Sequence, residues 1–213
     1  MSTIRSGEIE RYPPNMRVLH WITALSFVLV ALSGLAMFYP PLFWLSNLFG
    51  GGALNRAIHP WIGLVMAVAL FLLAPKVTPY ARWSPVDTEW LKHGSDVVAN
   101  REEDVPAVGK YNAGHKLVFY LMMTCMVVLL LTGLVIWRAY FTAYFPVGIA
   151  RLSALLHAFF AFVLICGIVV HVYASIWVKG AMRAMTRGTV SYGWAWRHHR
   201  AWFRDVTGAS PRK

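Results

Sequence analysis

The sequence predicts an all-α integral membrane protein, a four-helix bundle formed as a single membrane domain over its 213 residues. Three observations predict it. The chain is 58% hydrophobic and only 14% charged, with a mean hydropathy of +0.52, more apolar surface than a soluble domain of this size can bury. Its apolar residues gather into four long charge-free runs. Its net charge of +11 lies outside those runs, the distribution of a membrane-surface protein rather than a nucleic-acid binder.

The runs cover residues 18–38, 57–74, 117–137 and 152–178. Each approaches or exceeds the roughly 20 residues that a helix needs to cross a bilayer, whereas barrel strands are shorter and alternate. Pro75 and Lys76 end the second run, Arg138 the third and Lys179 the fourth. Residues 39–55 form a Pro- and Gly-containing connector, and residues 76–116 a polar loop with the acidic cluster Glu102, Glu103 and Asp104. Residues 179–213 form a basic, tryptophan-rich tail for which lipid contact, partner contact and plain solvation stay open. The first run is too long for a signal-peptide core and no small-residue cleavage site precedes it, so it is expected to be a retained span.

Charge orients the spans. Arg5, Arg11 and Arg17 precede the first run, six Lys and Arg lie in the 76–116 loop, and eight lie in the tail. The other two connectors carry only Arg56, Arg138 and Arg151. The positive-inside bias therefore predicts that both termini are cytoplasmic. Trp21, Trp44, Trp61, Trp137 and Trp177 lie near span ends, as interfacial anchors do. Cys125 and Cys166 sit deep in apolar runs and read as small buried residues. No C-x-x-C-H heme-attachment site is present.

Histidine carries the chemistry. His20 lies near the start of span one, His59 near the start of span two, and span four holds His157 and His171. The 14 residues between His157 and His171 return to within about 40° of one helix face and separate the two by about 21 Å along the axis. His59 matches His157 in depth at the outer level, and His20 matches His171 at the cytoplasmic level. Zinc takes three or four ligands at one level. Two imidazoles at each of two levels suit instead the axial positions of two b hemes, iron that carries electrons without an open coordination site. Gly63 and Gly167 lie one turn from His59 and His171, and Gly34 lies at the outer level; a glycine face lets a ring as large as the macrocycle approach the backbone, although glycines are also common in ordinary membrane packing. Two readings stay open for His115: an axial ligand in place of His20, or a surface or quinone role, favoured because it adjoins Lys116 outside the apolar stretch. His93, His198 and His199 are expected in solvent. A heme-free transporter or proton relay and a purely structural anchor are the competing classes; the absence of Asp, Glu, Lys or Arg within the runs argues against the relay.

Several stretches are specific enough to name a family. HWITALSFVLVALSG from His20, HPWIG from His59, VGKYNAGHK ending at Lys116, TGLVIWRAYF from Thr132, HVYASIWVKGAMRAMTRG from His171 and WRHHRAWFRD in the tail resemble the cytochrome b556 (gamma) subunit of respiratory formate dehydrogenase. The resemblance covers almost the whole chain. It implies a diheme b-type cytochrome of the bacterial inner membrane, held with an iron–sulfur beta subunit and a molybdopterin-containing catalytic alpha subunit, in a complex open to higher oligomerisation. No formate-oxidising site is expected in this chain. The axial ligands it implies are His59 and His157 for the outer heme, and His20 and His171 for the cytoplasmic one. It places a quinone, menaquinone or ubiquinone, at Asn112, Gly114 and His171. Position 115 is usually glutamine in that family, so His115 is a departure whose role at the quinone is its own question. Arg56 and Arg151 at the outer level, and Arg17, Lys110 or Lys116 at the inner one, are candidate partners for heme propionates. The same heme chemistry with a different partner, in a nickel–iron hydrogenase or thiosulfate reductase, is the alternative within this class.

Overall fold

The computed structural model describes residues 4–5, 7–99, 101 and 105–209. The acidic cluster Glu102, Glu103 and Asp104, the side chain of Arg5, and Arg212 and Lys213 lie outside the described residues. In chain order the elements are strands β1 (Ile4–Arg5) and β2 (Glu8–Glu10), helix α1 (Pro14–Phe38), a 3₁₀ stretch Pro40–Phe49, α2 (Gly52–Val77), a 3₁₀ turn Thr78–Tyr80, α3 (Pro85–Lys92), α4 (Gly94–Val98), α5 (Ala113–Ile136), a 3₁₀ turn Thr142–Tyr144, α6 (Val147–Trp177), α7 (Ala181–Thr186), β3 (Thr189–Ser191), α8 (Tyr192–His198) and α9 (Arg200–Thr207). They divide into two compact units. One holds Met1–Arg17, Ala74–Tyr120 and Val172–Lys213; the other holds Val18–Leu73 and Leu121–His171.

The second unit contains most of the four long helices, α1, α2, α5 and α6, each long and apolar enough to cross a membrane. They have 25, 26, 24 and 31 residues. At about 1.5 Å per residue all exceed the roughly 30 Å hydrocarbon core. They outrun the charge-free stretches because helix continues into the flanks. Pro14 is the first residue of α1, where its fixed φ suits a helix start, and α2 continues through Pro60 and Pro75. All four are apolar around their circumference, as lipid-facing helices are. In the most apolar stretch of α6 only 11% of residues are buried within the chain. Cys125 is buried, but Cys166 is exposed on α6, correcting the expectation for that residue: it lies on an outward face rather than in the core. Inside, Met66, Ala67 and Leu70 of α2 pack on Met126 of α5, with Phe27, Met123 and Leu130 against them.

The 39–55 connector is mostly 3₁₀ helix, stopped by Gly50 and Gly51 at φ 78° and 98°, a conformation that glycine adopts without Cβ strain. Asn55, fully buried, donates from Nδ2 to the Ser33 carbonyl at 3.0 Å. Trp61, Trp137 and Tyr140 meet edge to face, Trp61 and Trp137 with centroids 5.0 Å apart.

The first unit is the larger departure. Residues 181–207 of the tail carry helices α7, α8 and α9 and strand β3. β3 pairs antiparallel with β2, which pairs with β1. Ile9 faces Val190 across the ladder, and both are fully buried. Glu8 bonds Arg183 and accepts from Thr189 Oγ1 at 2.6 Å. His199, expected in solvent, is instead 1% exposed. Its Nδ1–H donates to the Gly109 carbonyl at 2.8 Å, and its Nε2 accepts from the Arg11 guanidinium at 3.0 Å. Arg11 is buried too, 4.9 Å from the ring centres of Trp194 and Trp202, and it donates to the Lys110 carbonyl at 2.6 Å. The imidazole is buried because both nitrogens are engaged. Burial first, and the adjacent Arg11 charge second, push His199 well below the ordinary histidine value. It is neutral at pH 7. His93 and His198 are half-buried, His93 beside Glu89 and Asp96, and His198 against Trp194.

Lys116 is likewise not a free surface charge. It is buried, with Nζ 2.6 Å from Asp87 Oδ2 and 2.9 Å from the Arg82 carbonyl. Burial alone would raise the Asp87 carboxyl, but hydrogen bonds from Lys116 and Ser84 outweigh it and hold the group below its usual range. Ser84 and Asp87 form the capping box of α3, so the ion pair ties that helix to the start of α5.

Replacing His199 with alanine removes one of the two acceptors of the buried Arg11 guanidinium and lowers unfolding stability by about 2 kcal/mol, read by tryptophan fluorescence on the detergent-purified chain. In the parent chain stability falls as pH drops below about 6.5, because the unfolded state gains a proton that folded His199 refuses. H199A loses that part of the pH dependence.

Candidate functional site

The four intramembrane histidines all lie in the second unit and meet in two pairs. His59 of α2 faces His157 of α6, with ring centroids 6.4 Å apart and planes at 65°. His20 of α1 faces His171 of α6, also at 6.4 Å, with planes at 54°. Metal–imidazole bonds are about 2 Å, and the ring centre lies about 1 Å beyond the nitrogen. Two imidazoles on opposite sides of one ion therefore have centroids about 6 Å apart, as both pairs do. Among the described residues no group of three or more His, Cys, Asp or Glu could hold a metal ion. The donor sets are thus two nitrogens each, which fits the axial sites of a flat macrocycle and not a tetrahedral zinc. Buried His20 Nδ1 finds no hydrogen-bond partner among the described residues.

Neighbouring helices shape the first pair. Ser33 Oγ lies 2.8 Å from His59 Nδ1, and Thr132 Oγ1 lies 3.0 Å from His157 Nδ1. The next residue is glycine in both cases. A Cβ on Gly34 would lie 3.3 Å from His59 Cε1, and one on Gly133 would lie 3.2 Å from His157 Cε1. At Gly34 the ring in close approach is the His59 imidazole rather than the large ring expected there. Gly167 differs: a Cβ there would strike the Leu121 side chain at 2.5 Å, so it serves helix packing. A Cβ on Gly63 would meet no protein atom within 4 Å. Ser33, Thr132 and Gly133 escaped the sequence reading. Their trace was there as the tripeptides Ser33-Gly34-Leu35 and Thr132-Gly133-Leu134, each about 25 residues before a histidine.

Asn112, Gly114 and His115 lie in the first unit, and His171 is the last residue of the second. Asn112 caps α5: its Oδ1 accepts from the His115 backbone N–H at 3.0 Å. The same oxygen accepts from His115 Nδ1 at 2.6 Å. The exposed His115 ring stacks on Tyr111 at 5.6 Å and meets His199 edge to face. A Cβ on Gly114 would lie 3.4 Å from Asn112 Oδ1 and 3.6 Å from Trp90. Of the two readings left open for His115, the ligand geometry belongs to His20, which is the residue paired with His171.

Among the suggested propionate partners, Arg56 and Arg151 are exposed and Arg17 donates to the Thr186 carbonyl at 2.7 Å. Lys110 is half-buried over the Tyr80 ring, and burial, then Arg11, push its amine down to about 8. Lys116 already neutralises Asp87, which removes it from that group.

A profile of the prokaryotic cytochrome b561 family matches residues 11–188. The chain belongs to this family. It is a multi-pass membrane cytochrome whose cofactor is b-type heme, and the paired histidines are the residues with the chemistry to hold it. This cytochrome is 40% identical over 197 residues to the cytochrome b556(Fdn) subunit of the nitrate-inducible formate dehydrogenase of Escherichia coli K12, covering 92% of this chain and 91% of the relative. It is 38% identical over 209 residues to the cytochrome b556(fdo) subunit of formate dehydrogenase from the same organism, covering 98% of each. The Haemophilus influenzae formate dehydrogenase cytochrome b556 subunit is 37% identical over 197 residues, covering 92% of this chain and 83% of the relative.

A branched side chain at Gly133 would press against the His157 ring, which a Cβ there already approaches to 3.2 Å. Gly133→Val is therefore expected to reduce bound b heme in the purified cytochrome, measured by pyridine hemochrome, while Gly148→Val, at a position where a Cβ meets nothing within 4 Å, leaves it unchanged.

Proposed function

We propose that this cytochrome is the membrane subunit of a formate dehydrogenase, carrying electrons from an iron–sulfur partner through two b hemes to a quinone. The observation that carries the proposal is the pair of matched two-imidazole sites, supported by near full-length similarity to formate dehydrogenase cytochrome subunits. His59 and His157 hold one heme, and His20 and His171 the other. Bound there, heme supplies reversible one-electron transfer at closed-coordination iron. The chain holds the four imidazoles in fixed pairs and excludes water from them with its surrounding apolar helices. A 14-residue offset on α6 sets the two pairs about 21 Å apart along the helix.

The charge bias supports cytoplasmic termini, which places the His59–His157 pair toward the outer face and the His20–His171 pair toward the cytoplasm. Electrons then enter at the outer pair and move inward. The whole chain acts as one membrane domain in this reading, with the iron–sulfur beta subunit and the molybdopterin alpha subunit outside it. Asn112, Gly114, His115 and His171 are the proposed quinone residues. Reducing a quinone takes two electrons and two protons. The His115 ring is held by Asn112 Oδ1 through Nδ1–H; after its Nε2 takes up a proton from the cytoplasm, the imidazolium passes that proton to a quinone oxygen and returns to the neutral ring. Proton uptake from the cytoplasm with electrons moving inward generates a membrane potential.

His171→Ala is expected to halve the heme content, abolish formate-dependent quinone reduction by the complex, and leave the remaining heme reducible by formate. Two hemes per chain in H171A would exclude the ligand assignment. Nickel rather than molybdenum in the purified complex would assign the cytochrome to a hydrogenase instead.

A further inference from the structure

The hairpin α1–α2 and the hairpin α5–α6 use the same device on the ligand each one contributes to the His59–His157 site. In both, a hydroxyl residue followed by glycine and leucine on the first helix faces the histidine of the second. The protons in this device have only one arrangement that satisfies every contact. Ser33 Oγ donates to the Val30 carbonyl at 3.0 Å, and Thr132 Oγ1 donates to the Val128 carbonyl at 2.6 Å. Carbonyl oxygens only accept, so each hydroxyl has spent its single proton on its own helix. Toward the imidazole it is then an acceptor, and the histidine Nδ1 must be the donor. Nδ1 carries the proton in both residues, leaving the Nε2 lone pair of each for a metal. Ser33 is fully buried and Thr132 is 8% exposed, so water does not compete for either bond. The glycine beside each hydroxyl bounds the ring at Cε1, and the two contacts together set its rotation.

We infer that Ser33 and Thr132 are paired positioning residues of the outer heme site, fixing the tautomer and orientation of His59 and His157 and raising their basicity as ligands. This inference rests on the heme reading above. An acceptor on Nδ1–H increases electron donation from the opposite nitrogen to iron, which favours the oxidised state and lowers the midpoint potential. The His20–His171 site differs, since His20 Nδ1 is buried without a hydrogen-bond partner. Removing either hydroxyl therefore changes one heme and spares the other.

The test is redox titration and low-temperature EPR of the full-length cytochrome, purified as its complex, for the parent, S33A, T132V and the conservative variants S33T and T132S. The expected result is a higher midpoint potential and shifted low-spin g values for one heme in S33A and T132V, about 10-fold weaker heme retention at that site, an unchanged second heme, and parental behaviour in S33T and T132S. Should S33A fail to fold, the comparison of T132V with T132S decides alone. Unchanged potentials and g values in T132V at full heme content would overturn the positioning role while leaving the heme reading intact. A parent protein without two bis-imidazole low-spin signals would overturn that reading, and this inference with it.

Discussion

An imidazole placed in hydrocarbon must have its nitrogens engaged, because no water is there to take the role. Four such side chains sit among the helices of the second unit, and the arrangement around them follows that requirement except at His20 Nδ1, which has no hydrogen-bond partner among the described residues. Each ring faces another at the spacing of two ligands on one ion. Two of the rings pass their second nitrogen to a hydroxyl of the adjacent helix. Glycine stands where the rings come closest to backbone. The long helices stay apolar on every face because lipid surrounds them and the polar work is confined to the pairs.

The same accounting of polar groups explains the first unit. Several positive residues serve there as structural groups. Arg11 is enclosed by Trp194 and Trp202 and bonded to His199. Lys116 closes on Asp87, and Arg183 on Glu8. A buried guanidinium or ammonium is tolerable only with partners of this kind. Arg11 meets the tail through His199, Trp194 and Trp202, and Arg183 is the tail's own cation in an ion pair.

What was legible in the sequence follows from the range of each interaction. The four spans, and the 14-residue spacing that puts His157 and His171 on one helix at two depths, are local periodic features, and they lead directly to the pairings His59 with His157 and His20 with His171. The burial of His199 is not local. It depends on Arg11, 188 residues away, and on a carbonyl 90 residues away. The small sheet is equally hidden, since β2 and β3 have three residues each and only Ile9 and Val190 turn inward. The Ser33 and Thr132 device lies between these extremes. Its tripeptides are visible in the chain, but their meaning depends on knowing which histidine each one faces.

The two histidine pairs are alike in spacing but not in surroundings, and under the proposed assignment that difference has a direction. The outer pair has both ligands hydrogen-bonded through Nδ1–H to hydroxyls, so its imidazoles are the stronger electron donors. His20 in the inner pair has its Nδ1 buried without such a partner. Stronger ligands stabilise ferric iron, so the outer site releases an electron more readily than it would with bare imidazoles. Under that assignment an electron is thereby favoured to pass from the His59–His157 site to the His20–His171 site. A sequence change as small as a hydroxyl on each of two helices thus bears on the direction in which the cytochrome conducts.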